Sequence, residues 1–214
     1  APFDLGDDGV LTATGRIRAE VGDDEGMIVI NQANMVVGRS AFNFTGRIVP
    51  VENSGAGSAV YRFDLASGQS TIAPIDSPEA AVPFVAGVAG RIDTGNGRIV
   101  GDTIRIATTS GVITASAAVT FQAGKTPGLS LAVYTEGMPT HEVKQFWPWF
   151  AASGAREWVL GNLFGGRVVE GNLRLRVPPG RFGNGKPLNN EEVSGAFAVS
   201  DARFDIAGRI PPVR

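Results

Sequence analysis

Val112–Ala123, VITASAAVTFQA, decides the fold. Ile113, Ala115, Ala117, Val119, Phe121 and Ala123 fall on one side of an extended chain. Thr114, Ser116, Thr120 and Gln122 fall mostly on the other, which is the period of two expected of a half-buried strand. After a turn at Lys125-Thr126-Pro127-Gly128, Leu129, Leu131 and Val133 continue the apolar set. Further on, Val169, Leu173, Leu175 and Val177 alternate with Glu170, Asn172, Arg174 and Arg176. A strand of about ten residues spans about 33 Å. The pattern therefore predicts a wide sheet with one continuous apolar face and one wet face.

Working outward, the same alternation recurs along most of the chain. Strands are predicted over Gly9–Val21, within Met27–Val49 (clearest at Met35–Val37 and Ala41–Val49), and over Ala59–Leu65, Phe84–Ile92 and Arg98–Ala107. A last pair lies within Glu191–Ile206, with a bulge expected near Asp201–Arg203. Asp93–Gly97 and Ser110-Gly111 read as hairpin loops, so the sheet is an antiparallel meander. Residues 73–83 carry Pro74, Pro78 and Pro83 and little periodicity. They read as a connection between an N-terminal β segment, 1–72, and a second unit, 84–214, or as a link inside one continuous domain. Pro178–Asn190, PPGRFGNGKPLNN, reads as a polar, exposed loop.

One stretch breaks the β pattern. Thr140–Val169 holds all three Trp residues and the only His. Thr140 is expected to cap a first helix that Pro148 stops, because proline lacks the donor a helix interior needs. A second helix is expected over about Ala151–Leu163, with Phe150, Ala155, Trp158, Val159 and Leu163 as its apolar stripe. Gly165 and Gly166 are expected to end it in the left-handed conformation. The pair reads as a cap that buries Trp147, Trp149 and Trp158 against one end of the sheet, with Pro148 and Arg156 part of it.

Composition narrows the function classes. The chain has 214 residues, a net charge of −2 and scattered Lys and Arg, with no basic stripe to bind nucleic acid. No apolar run is long enough to span a bilayer as a helix. Zero Cys excludes disulfides and thiolate metal sites, and one His cannot supply a histidine cluster. There is no phosphate loop, dinucleotide fingerprint or nucleophile elbow. The acidic pairs Asp7-Asp8, Asp23-Asp24 and Glu191-Glu192 sit in turns or before strands and lack calcium-loop spacing. The expectation is a protein without catalytic residues, metal or cofactor. Arg156 and Arg167 are placed either to meet a lipid phosphate or to pair with carboxylates and Trp faces.

Phe146-Trp147-Pro148, then Ala155-Arg156, Trp158-Val159 and Asn162, then Gly165-Gly166-Arg167-Val168 make a distinctive succession. It is a short helix with a Trp-Pro, a second helix ending in Arg-x-Trp-Val-x-x-Asn, and a Gly-Gly-Arg-Val strand. It resembles the middle domain of the YhdP-like proteins, within the AsmA-like, TamB-related superfamily of bacterial envelope proteins. Gly195-Ala196-Phe197, Asp201–Phe204 and Ile210-Pro211-Pro212-Val213 are similar to that family's closing strands and the turn after them. The resemblance covers Val133–Arg214 and its motif is structural.

The resemblance implies long, curved β grooves that bridge the inner and outer membranes of Gram-negative bacteria. Such proteins are anchored by an N-terminal transmembrane helix and move phospholipid along the groove. For this chain it implies an internal segment, the periplasmic part of an inner-membrane-anchored protein. Its partners would be phospholipid or another acyl-chain ligand, and adjacent segments of the same chain. The expected fold is thus mainly β, a long curved antiparallel sheet forming a groove or a partly open sandwich, with a two-helix insertion near residues 140–163. The lipid-facing candidates are Ile113, Ala115, Ala117, Val119, Phe121, Leu129, Leu131, Val133, Leu173, Leu175 and Val177. Two short helices are too few to cover so wide a face. Either the sheet folds on itself as a structural or adhesive domain with a sealed core, or a ligand fills the gap.

Overall fold

The computed structural model describes residues 13–22, 26–51, 59–148, 150–182 and 186–205. The expected strand start at Gly9, the acidic pairs Asp7-Asp8 and Asp23-Asp24, Trp149 and the Ile210–Val213 turn lie outside these residues. The elements run β1 (Ala13–Val21), β2 (Ile28–Val37), β3 (Ser40–Pro50), β4 (Val60–Ser67), β5 (Ser70–Ile72), β6 (Val82–Asp93), β7 (Arg98–Ala107), β8 (Val112–Thr120) and β9 (Gly128–Pro139). Helices α1 (Thr140–Phe146) and α2 (Ser153–Asn162) follow, then β10 (Leu163–Phe164), β11 (Arg167–Val177), β12 (Val193–Ser200) and β13 (Arg203–Phe204).

Ten strands lie side by side in the order β1-β2-β3-β4-β6-β7-β8-β9-β11-β12, and β5 joins the same sheet by pairing with β3 and β6. Every pairing is antiparallel. Hairpin chemistry sets the order locally. At the β6–β7 turn the Asp93 carboxylate accepts from the Asn96 backbone N–H at 3.0 Å and its side-chain amide at 2.7 Å. Gly97 there takes φ +55°, a conformation that costs a side-chain-bearing residue. Around residues 73–81 the sheet is unbroken, because β5 and β6 pair directly through Ser70–Phe84 and Ile72–Val82.

The register aligns apolar residues into rows that cross all ten strands. One row runs Val21, Ile28, Ile48, Phe63, Gly90, Gly101, Ala117, Leu131, Leu175, Val193. The next runs Ala19, Ile30, Gly46, Leu65, Val88, Ile104, Ala115, Val133, Leu173, Gly195. Neither row contains a polar side chain. At about 4.8 Å per strand spacing, each row is about 43 Å long. Register shifts at Ile30/Ala33 in β2 and Gly101/Ile104 in β7 keep the rows in phase. Each inserts one residue, which restores the facing of everything beyond it. The opposite face carries ion pairs such as Arg91–Asp102 at 3.0 Å.

Several local expectations are corrected. Thr140 does not cap α1: it is the first helical residue, the capping position is Pro139, and the Thr140 hydroxyl is buried without a partner. The buried side chain of α2 is Arg156, whereas Ala155 is exposed and Trp158 is 46% exposed. Trp158 instead lies beside Phe204 at the rim, ring centroids 6.4 Å apart. Gly165 and Gly166 are left-handed, φ +63° and +74°, but they turn β10 into β11 and do not end α2. At Asp201 the chain does not bulge within one strand. Its left-handed φ of +54° ends β12 and sends β13 to pair with β10.

Candidate functional site

The two rows are covered unequally. Over β9, β11 and β12 the chain roofs itself: Leu173, Leu175, Val177, Val193 and Ala151 form a buried cluster. Trp147, Phe150, Phe182 and Leu188 pack on it from above. Trp147 is held there by stacking on Phe197, 5.3 Å between centroids, and by donating its indole N–H to the Ala151 carbonyl at 2.7 Å. At the opposite end the same row is bare, with Val21 79% and Ile28 37% exposed, against 3% for Leu175. Every residue of β1 is exposed. The lipid-facing candidates divide accordingly. Ile113, Leu173, Leu175 and Val177 are buried; Ala115, Ala117, Val119, Leu129, Leu131 and Val133 are half-buried. Phe121 lies past the end of β8 and is exposed.

The segment after β11 meets its expectation in part. Residues 178–190 were expected to stand exposed, and Pro178, Gly180, Lys186, Pro187, Asn189 and Asn190 do, while half-buried Phe182 and Leu188 pack on the apolar face. Arg181 fastens them. It donates through Nε and Nη2 to the Glu192 carboxylate, and to the carbonyls of Lys186 at 3.0 Å and Pro187 at 2.8 Å. The Asn189 backbone N–H also donates to Glu192, at 2.9 Å. The Arg181 hydrogen bonds, then the Asn189 one, hold the Glu192 carboxyl below its ordinary range, although burial opposes them. A depressed folded value stabilises the fold fully above the unfolded carboxylate value, and the stabilisation is lost as pH falls through the folded one. Urea midpoints are therefore expected to decline from about pH 5 downward. Glu192→Gln should flatten that slope and lower the midpoint at neutral pH.

Polar side chains dock the helices on the sheet. Glu142, buried in α1, accepts from the Thr108 hydroxyl at 2.6 Å. Lys144, also buried, pairs with Glu79 at 2.9 Å and lies 5.2 Å from the centre of the Phe164 ring. Gln145 donates to the Ala80 carbonyl at 2.7 Å. Arg156 reaches Asp76 at 2.9 Å. Three of these four partners lie between β5 and β6, so the proline-marked connection is the seat of the helices. His141 is exposed on α1.

Between this seat, the β2–β3 turn and the two helices lies a cleft of about 740 Å³. Its walls are largely apolar, from Phe42, Ile72, Ile75, Phe146, Trp147 and Leu160. Its ionisable lining is one guanidinium, Arg156, and two carboxylates, Asp76 and Glu157. Arg156 is 2% exposed, and only its Nη2 is engaged; Nε and Nη1 have no hydrogen-bond partner. The buried Oε1 of Gln145 is likewise unpartnered. Burial pushes the Arg156 pKa down from its ordinary value, and Asp76 works against that shift. Sequence reasoning placed Arg156 in the helical cap but missed the cleft, because Phe42, Ile72 and Asp76 reach it from far along the chain. Arg167 does not face the cleft; it donates to the Gly137 carbonyl.

Among the described residues no group of three or more His, Cys, Asp or Glu could hold a metal ion, and no helix is long and apolar enough to cross a membrane. The chain matches no family model, no curated protein and no solved structure.

Proposed function

We propose that this chain is a non-catalytic, lipid-handling segment whose apolar β face carries acyl chains. The carrying observation is the pair of side-chain rows, free of polar groups across ten strands and uncovered at the β1–β2 end. Bare apolar surface of that extent is costly in water, and each buried CH₂ of a ligand recovers about 0.8 kcal/mol. The Trp-Pro helix pair and the Gly-Gly-Arg-Val strand favour kinship with YhdP-like proteins. On that reading the chain is a periplasmic portion of an inner-membrane-anchored bridge, passing phospholipid toward the outer membrane and continued by neighbouring segments of the same polypeptide.

The test is organic extraction and native mass spectrometry of the purified protein. Co-bound phospholipid is expected. Ile28→Asp, placed in the open part of the row, should fold normally and lose most of that lipid. A lipid-free protein that also fails to take up a fluorescent fatty acid would overturn the reading. It would favour a structural β domain instead, an alternative supported by the self-made roof over β9, β11 and β12.

A further inference from the structure

The cleft beneath α2 has a pattern of unmet polar demand that apolar carriage alone leaves unexplained. Arg156 offers free Nε and Nη1 donors from a site that is 2% exposed. A buried donor without a partner is unfavourable, more so on a charged group, so such a group is retained at a cost to the fold. Its one partner, Asp76, is 43% exposed and stands at the rim. Glu157, the second carboxylate of the lining, is exposed and belongs to α2 as Arg156 does. The Oε1 of Gln145, a buried acceptor on α1, also has no partner. The cleft lining therefore combines buried, unpartnered donors on a cation and an unpartnered amide acceptor with two carboxylates, of which Asp76 accepts one bond from Arg156. The remaining wall, Phe42, Ile72, Ile75, Phe146 and Leu160, is apolar.

A simple anion would satisfy Arg156 but would sit near Asp76 and Glu157 uncompensated. A simple cation would leave the guanidinium donors empty. A headgroup bearing both signs answers both. We infer that the cleft binds a zwitterionic phosphodiester with a primary ammonium, a phosphoethanolamine-type headgroup, its phosphate oxygens on Arg156 Nε and Nη1 and its ammonium toward Asp76, Glu157 and Gln145 Oε1. The acyl chains lie along the Phe42, Ile72 and Phe146 wall. A primary ammonium has N–H donors for these acceptors, and a quaternary one has none. The inference rests on the lipid-carriage reading and adds headgroup selection to it.

The experiment measures binding of four probes to the whole chain by isothermal titration. Three are short-chain phosphatidylethanolamine, phosphatidylcholine and phosphatidylglycerol with identical acyl chains, below their micellar concentrations; the fourth is chain-free glycerophosphoethanolamine. The ethanolamine lipid should bind about tenfold more tightly than the other two, the scale of one charge-assisted hydrogen bond. Arg156→Met should weaken binding of all three lipids, because each presents the same phosphodiester to that guanidinium. Glu157→Gln, at an exposed position, should reduce the preference for the primary ammonium without unfolding the protein. Asp76→Asn should reduce it too, with a lower melting temperature, because Asp76 is the carboxylate paired with the buried Arg156. Circular dichroism verifies the fold of each variant. Equal affinity for all three lipids overturns headgroup selection and leaves carriage standing. No binding of any lipid overturns both. Glycerophosphoethanolamine binding as tightly as the lipid would assign the cleft to a soluble phosphoester and overturn the lipid half of the inference. A preference unchanged in both carboxylate variants would remove the ammonium assignment.

Discussion

Gly90→Ala is expected to destabilise the protein by about 3 kcal/mol or more, at the upper end of overpacking costs. Gly90 lies midway along the first apolar row, where β6 pairs with β7 at a register shift. A β-carbon built there meets the Val100 carbonyl oxygen at 1.9 Å and the Phe63 ring at 2.6 Å. The ring could turn aside, but the carbonyl belongs to the neighbouring strand and is part of the sheet backbone. Relief therefore requires β6 and β7 to separate, which loosens Phe63, one of the buried core residues. Urea denaturation should report a midpoint far below that of the parent protein, or a chain unfolded at 25 °C. A midpoint within experimental error of the parent would show that the row does not pass so close to the backbone.

Trp147→Ala is expected to cost about 3–5 kcal/mol, the usual range for truncating a packed aromatic. Its ring stacks on Phe197, covers the cluster around Leu173 and Leu175, and donates to Ala151. Trp158→Ala should cost under about 1 kcal/mol, because that ring is 46% exposed and lies beside Phe204 of β13 at the rim. Differential scanning calorimetry of the two single variants separates them. Equal losses would contradict the placement of the helical pair. The contrast matters because the sequence presents both residues as members of one aromatic cap, and only the folded chain distinguishes roof from rim.

Alternation made the strands legible. Residues 98–107 and the start at Val112 were read as they stand, since period-two patterning and Gly-rich turns are local properties. The straight rows were not legible. They depend on bulges in β2 and β7, and a single inserted residue leaves little trace in composition. The orientation of α2 was misread for a related reason. Periodicity searches for an apolar stripe, whereas the buried side chain here is Arg156, whose partner Asp76 lies 80 residues earlier. The exposure of the 178–190 loop was legible but its two anchors were not, because Phe182 and Leu188 are diluted among glycines, prolines and amides. Two anchors suffice when Arg181 and Glu192 hold the segment down.

The apolar rows run at right angles to the strands, along the direction of the interstrand hydrogen bonds. Reach along that axis is therefore counted in strands and is indifferent to how long each strand is. One further hairpin would extend the oily track by about 10 Å without altering its width. A sheet of this kind is lengthened or shortened by whole hairpins, with no redesign of the surface already in place.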